Sequence, residues 1–422
     1  MKKITALIGH LCMLLVTASA QEPLSLQKAY DLARANYPLV KQRELIRQTR
    51  DWTIDNLGKG FLPQFSLNGQ ATYQSEVTQI KIPIPGVTVD PLNKDQYKLL
   101  ADISQLIYDG GMIKQQKAIQ QFNETTEQQK LEVELYKLNE RINQLFLGVL
   151  FLDEQLKQVE LVKSDLNNGI KRVEAQVNNG VAFRSNLNVL KAELLKADQR
   201  IIELQSTRKG FLDVLSLFIN QPLPENTKLE KPQAKPSVTP DINRPELQLF
   251  SSQQKLLGSQ VGLIDAKNKP KASFFWQGGY GRPGLNFLKN DFAFFYTTGF
   301  RLSWSFGGLY TRKNEKKILE LNQKTIDIQK DVFLLNTNTQ LKQQQSEIDK
   351  LQKLVSTDQE IIDLRIKVKD AAKAQLENGV ITANDYLREV NAEDQARQSL
   401  ITHQVQLIQA QINYQTISGQ SN

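Results

Sequence analysis

Phe292-Ala293-Phe294-Phe295-Tyr296-Thr297-Thr298-Gly299-Phe300-Arg301-Leu302-Ser303-Trp304-Ser305-Phe306 is the stretch that decides the fold. Phe292, Phe294, Tyr296, Phe300, Leu302, Trp304 and Phe306 share one parity, and Thr297, Arg301, Ser303 and Ser305 share the other. A period of two is that of a β-strand with one apolar and one wet face. The preceding stretch repeats the pattern, with Ala272, Phe274, Trp276 and Tyr280 opposite Ser273 and Gln277. The spacing predicts strands over about 272–281 and 291–306. Strands of about ten residues or more with aromatic ends match membrane-spanning β-strands, whose apolar side chains face lipid and whose polar ones face a lumen. A soluble sandwich also alternates, but its strands are shorter and come in larger sets. Phe274, Trp276, Phe292, Phe294, Tyr296, Phe300, Trp304 and Phe306 are therefore expected to face lipid.

The hairpin is the second of two, because the chain is written twice. Tyr37-Pro38-Leu39 precedes Pro63 by 25 residues and Arg244-Pro245-Glu246 precedes Pro270 by 25; both prolines recur at an offset of 207. Gly110-Gly111 answers Gly307-Gly308, and Asn179-Gly180-Val181 answers Asn378-Gly379-Val380. The duplicated unit reads helix, two strands and two long helices, a repeat-built plan rather than an enzyme with one cleft. In the first copy, periodicity gives a helix from Leu24 to Leu57 with Ser25 as its N-cap, then strands over about 64–78 and 95–107. Proline-free stretches over about 111–178 and 308–377 read as long helices, each of which at 1.5 Å per residue would run about 105 Å. Each turns back at an Asn-Gly-Val and returns to Asn220 or Ser418. Leu131, Leu135, Leu138, Ile142, Leu145, Val149 and Leu152 form a stripe at spacings of three and four, the mark of helix-to-helix packing. The division is thus a signal over 1–20, a first repeat over 21–220, a linker with five prolines over 221–240 and a second repeat over 241–422.

Met1-Lys2-Lys3, the apolar run Ile4–Val16 and Ala18-Ser19-Ala20 have the form of an export signal. The single cysteine, Cys12, lies inside it, so disulfide and thiol chemistry are not expected of the mature chain. The formal charge of +8 falls to +6 without Lys2 and Lys3 and is interleaved, with no basic block to favour nucleic acid. Gly279-Tyr280-Gly281-Arg282-Pro283-Gly284 spells a dinucleotide fingerprint but opens a proline-containing loop, so it lacks the helix N-terminus that holds a pyrophosphate. His403 stands in a Gln-rich helix with no second ligand nearby in sequence. Neither a catalytic residue nor a cofactor or metal site is expected, and the chain does not read as an enzyme. Lys267, Lys269 and Lys271 read either as a membrane rim or as a solvated loop. Four strands leave unpaired edges that hydrocarbon does not tolerate, so the sheet must close with further copies: two give eight strands, three give twelve with an aqueous bore.

Leu24-Ser25-Leu26 leading to Ala33 and Asn36-Tyr37-Pro38, the Leu62-Pro63 strand entry, the Tyr108-Asp109-Gly110-Gly111 exit, and the Asn-Gly-Val turns followed by Leu187, Leu190, Ala192 and Glu193, or by Leu387, Val390, Ala392 and Glu393, resemble the outer membrane efflux protein family, the TolC-like channels. The resemblance spans essentially the whole mature chain and rests on the ordered series, not on one motif. It implies a fold that is mainly α with a membrane β portion: a homotrimer with a twelve-stranded barrel continued by a long periplasmic α-helical barrel. It also implies a passive exit duct of a tripartite efflux or type I secretion system, partnered by a periplasmic adaptor and an inner-membrane pump. In the family an acidic pair follows the second turn's glycine by six and nine residues; here those positions hold Asp385 and Arg388, so the resemblance gives the entrance an Asp–Arg pair instead of two acids. The plainer reading of both is solvated surface charge. Gly180, Val181, Gly379 and Val380 are the expected docking tips. Faces rich in Ser, Thr, Gln and Asn fit an unselective aqueous path. The competing reading is a periplasmic coiled-coil adaptor or scaffold without a pore.

Overall fold

The structure is a computed structural model that describes residues 22–79, 83, 86, 91–233 and 241–420. The export signal, most of the loop between the first two strands and residues 234–240 of the linker lie outside the described residues. Helix α1 (Leu26–Asn36) starts at Ser25, whose hydroxyl accepts the Lys28 amide at 3.2 Å. The helix expected to run on to Leu57 stops at Pro38. A proline disfavours helical backbone in the residue before it, and Tyr37 is extended at φ −63°, ψ 130°. A 3₁₀ turn (Pro38–Lys41) leads into α2 (Gln42–Gly58). The expected helix over about 111–178 is likewise two: α3 (Met112–Tyr136) and α4 (Leu138–Asn178). At Lys137 ψ relaxes to −20°, opening the turn beside Tyr136, whose hydroxyl donates to the Thr416 carbonyl at 2.6 Å and whose ring lies 4.8 Å from the Arg244 guanidinium. The remaining helices are α5 (Arg184–Ile219), α6 (Pro245–Lys267), α7 (Gly307–Glu377) and α8 (Ala383–Ser418).

The chain divides into two compact units that cut across the repeats. The first takes the described residues of Met1–Val40, Glu132–Pro245 and Phe333–Asn422 and is helical. Val159, Leu166 and Val173 of α4 share a core with Leu190 of α5, Leu376 of α7 and Tyr386 of α8. A second cluster joins Ala29 and Ala33 of α1 to Ile142 and Phe146 of α4 and Leu215 of α5. Each fully buried Leu or Ile contributes about 2 kcal/mol, so packing along these seams holds the helices more than propensity does. Six residues of the predicted stripe, Leu131, Leu135, Leu138, Ile142, Val149 and Leu152, are buried, and Leu145 is half-buried at the edge of the second cluster.

The second unit, Lys41–Leu131 with Glu246–Val332, holds an antiparallel sheet in the order β1 (Gln64–Tyr73), β2 (Asp95–Tyr108), β3 (Lys271–Arg282) and β4 (Ala293–Ser303). The junction β2–β3 joins one repeat to the other. Ser66, Asp102, Gln277 and Thr297 stand opposite one another on one face, and Leu67, Ala101, Gly278 and Tyr296 on the other. β1 ends short of residue 78 because its partner begins only at Asp95; the Gln74 amide still reaches the Lys94 carbonyl at 2.8 Å. β4 is shorter at both ends than the expected 291–306. Phe292, Trp304 and Phe306 therefore flank the ladder; Trp304 donates its indole N–H to the Asn268 carbonyl at 3.1 Å. Where β2 gives way to α3, the buried Asp109 carboxylate accepts the amides of Gly111 at 2.7 Å and Ile113 at 2.6 Å, satisfying donors at the helix start.

Candidate functional site: the paired helix turns

Within the helical unit, the α4–α5 and α7–α8 connections are built alike. The Val181 amide donates to the Gln176 carbonyl at 2.8 Å and the Gly180 amide to Val177 at 3.0 Å; the Val380 amide donates to Gln375 at 2.9 Å and Gly379 to Leu376 at 3.1 Å. Both are the paired bonds of a Schellman C-cap, which needs a left-handed residue after the helix. Gly180 supplies φ +73° and Gly379 φ +71°. The turns are tied together. Gln176 Nε2 donates to the Leu376 carbonyl at 3.0 Å, and Arg172 pairs with Glu377.

The turns differ in how the return helix starts. Thr382 caps α8: its hydroxyl accepts the Asp385 amide at 3.3 Å, and the Asp385 carboxylate accepts the Thr382 amide at 3.1 Å and hydroxyl at 2.7 Å. Those bonds, from the Thr382 hydroxyl first and its amide second, hold the Asp385 carboxyl below the usual aspartate range. Within the chain the Asp385–Arg388 ion pair entertained from sequence is not formed, because Asp385 serves as the box residue of the cap and Arg388 Nε lies 3.1 Å from Glu389 Oε1. Phe183 caps α5 without any side-chain bond. Val181, Phe183 and Val380 are exposed at 71%, 81% and 70%. Phe183 escaped the reading of the sequence; an aromatic residue three places after a turn glycine was the only signal for it.

Behind the turns lies a charged cluster drawn from three helices. The Lys369 ammonium of α7 sits 2.7 Å from Asp165 of α4 and 2.6 Å from Glu393 of α8, and Glu393 also holds Arg397 at 2.7 Å. Burial works against the Lys369 charge, yet its two carboxylates overcome it and leave its pKa above the ordinary lysine value. Burial also raises the Tyr386 hydroxyl, with the negative Asp165 adding to it, and burial raises Tyr30. All three groups keep their protons in the folded state at pH values where an unfolded chain releases them, about 10 and above. The stability that these three groups contribute is therefore fully present below about pH 10 and is lost as pH rises past it. Thermal unfolding followed by circular dichroism should show a melting temperature level between about pH 7 and 10 and dropping above it.

His403, unpartnered in sequence terms, sits 2.5 Å from Asp358 through Nδ1. In the sheet unit the aromatic face is laid bare: Phe294, Phe300 and Tyr296 are strongly exposed, and Tyr280 contacts Phe294 with ring centroids 4.6 Å apart. Phe274 meets Phe300 edge to face at 5.6 Å. Among the described residues no helix is long and apolar enough to cross a membrane.

Residues 29–212 match the family model described as outer membrane efflux protein. No curated protein matches in sequence. Among solved structures, CusC, described in terms of transmembrane channel formation, aligns with a TM-score of 0.66 at 14% identity, covering 94% of this chain and 92% of that one. The outer membrane protein VceC from Vibrio cholerae aligns at 0.64 and 13% identity over 94% and 96% of the two chains. The open state of the Neisseria gonorrhoeae MtrE outer membrane channel aligns at 0.63 and 14% identity over 94% and 89%. At these identities the likeness is one of fold, and it runs nearly end to end.

Proposed function

We propose that this chain is a member of the outer membrane efflux protein family, whose model its residues 29–212 match, and that it is the passive exit duct of a tripartite efflux or type I secretion assembly; its likeness in fold to outer-membrane channels supports this reading. The observation that carries this reading is the sheet. It has an exposed aromatic face, a polar face, and two strands, β1 and β4, that each pair on one side only. Hydrocarbon penalises every unpaired backbone group, so the sheet is complete only when β1 of one copy meets β4 of the next. Three copies make twelve strands, wide enough for an aqueous bore, with the aromatic residues against lipid. Gly180, Val181, Gly379 and Val380, joined by Phe183, then form the tips that meet a periplasmic adaptor. Asp385 and Arg388 stand beside one of them at the entrance, where their opposite charges can meet between copies. An inner-membrane pump supplies the energy.

Purified protein is expected to require detergent, to migrate as a trimer and to produce stepwise conductance in planar bilayers. Deleting it should abolish export through at least one inner-membrane pump. Recovery as a soluble monomer with no conductance would sink the duct and favour the adaptor reading.

A further inference from the structure

The strands carry six charged side chains: Asp95, Lys98, Asp102, Lys271, Arg282 and Arg301. Asp95 and Arg282 share the aromatic face and pair with each other. The register puts the other four on the polar face: Asp102 lies opposite Gln277, Lys98 opposite Gly281, Lys271 opposite Ser303 and Arg301 opposite Ser273. Three cations thus face one carboxylate there. Asp102 is engaged by amides, accepting Asn68 Nδ2 at 3.0 Å and Gln277 Nε2 at 2.5 Å, while Lys98, Lys271 and Arg301 pair with no carboxylate among the described residues. Arg301 is instead held on an aromatic plate. Its guanidinium carbon lies 4.8 Å from the centroid of Phe275, and Gly299, directly opposite Phe275, adds no side chain to lift the ring off the sheet. A guanidinium stacked on a ring keeps one face and its N–H edges free for an anion.

From this we infer that the polar face of the sheet is an anion-preferring lining, with Arg301 on Phe275 as a specificity-determining site for aromatic or otherwise amphipathic organic anions. The inference rests on the duct reading, in which this face lines the bore. Rotational symmetry then repeats Arg301 at one height in every copy. A ring of like charges between low-dielectric walls concentrates counter-ions more than scattered charges do. The lining is therefore not the unselective one that its Ser, Thr, Gln and Asn content suggests.

The test is the reversal potential of the reconstituted protein under a potassium chloride gradient. Wild type should prefer chloride several-fold; Arg301→Gln combined with Lys98→Gln should bring the ratio near unity, with step size confirming that the barrel is formed. Arg301→Lys should keep the chloride preference, because it keeps the charge. It should lose the stronger block by salicylate than by acetate, because it loses the planar stack. Potassium preference in wild type, or a ratio that the double variant leaves unchanged, would overturn the inference while the duct stands. Wild-type protein that inserts without conducting removes the duct reading, and this one with it.

Discussion

Lys369→Met is expected to lower the stability of the helical unit by about 3 kcal/mol, because it leaves Asp165 and Glu393 facing one another without their shared cation. The ammonium bridges the two at 2.7 and 2.6 Å, with side-chain exposures of 13% for Lys369 and 6% for Glu393. Removing one member of a largely buried ion cluster exposes the desolvation cost of the rest, which is larger than the net worth of the intact cluster. Arg397 still neutralises one oxygen of Glu393, which sets the loss at the lower end of what such deletions cost. The companion change Glu393→Leu in the same chain should recover much of the loss, since it removes a buried charge and supplies apolar volume beside Val390. Thermal or denaturant unfolding of purified protein reads both. A Lys369→Met melting temperature indistinguishable from wild type would mean that water reaches the cluster freely.

Gly379→Val is the second large effect, and it should separate function from assembly. At φ +71° a Cβ costs about 1 to 2 kcal/mol, and a β-branched side chain adds to that. Nothing crowds the position, so the cost is conformational and the chain escapes it by reshaping the turn. Reshaping displaces Val380 and slackens the Gln176 bond to the Leu376 carbonyl that aligns the two turns. Since the substitution lies far in sequence from every strand, export should fall strongly while detergent-resistant trimers and bilayer conductance persist. Undiminished export would remove the turn from the docking role; loss of insertion would reassign it to folding.

Much of this was legible in the residues. Alternation over 272–281 and 291–306 predicted which side chains share a face, and the register keeps them together. The stripe from Leu131 to Leu152 was legible because burial on one helical face repeats at its own period. What resisted reading depends on distance in the chain. Asp165 and Lys369 are ordinary charges in sequence, Glu393 stands there only as one residue of the series after the second turn, and the three become a cluster only when α4, α7 and α8 pack. Phe275 belongs to the wet parity yet is aromatic, and its purpose emerges only with Arg301 above it. Two differences are local. Pro38 stops α1 although the helical period of the side chains continues past it, and Thr382-x-x-Asp385 spells a capping box, which competes with any other use of that carboxylate.

The two halves begin their return helices unequally, one from Thr382 and one from Phe183. One turn is thus closed by a capping box, and the other carries an exposed aromatic residue and no side-chain cap. A ring of three such chains would present six fingertips of two alternating textures, and any sixfold collar placed on it would meet them as three pairs, not six equals.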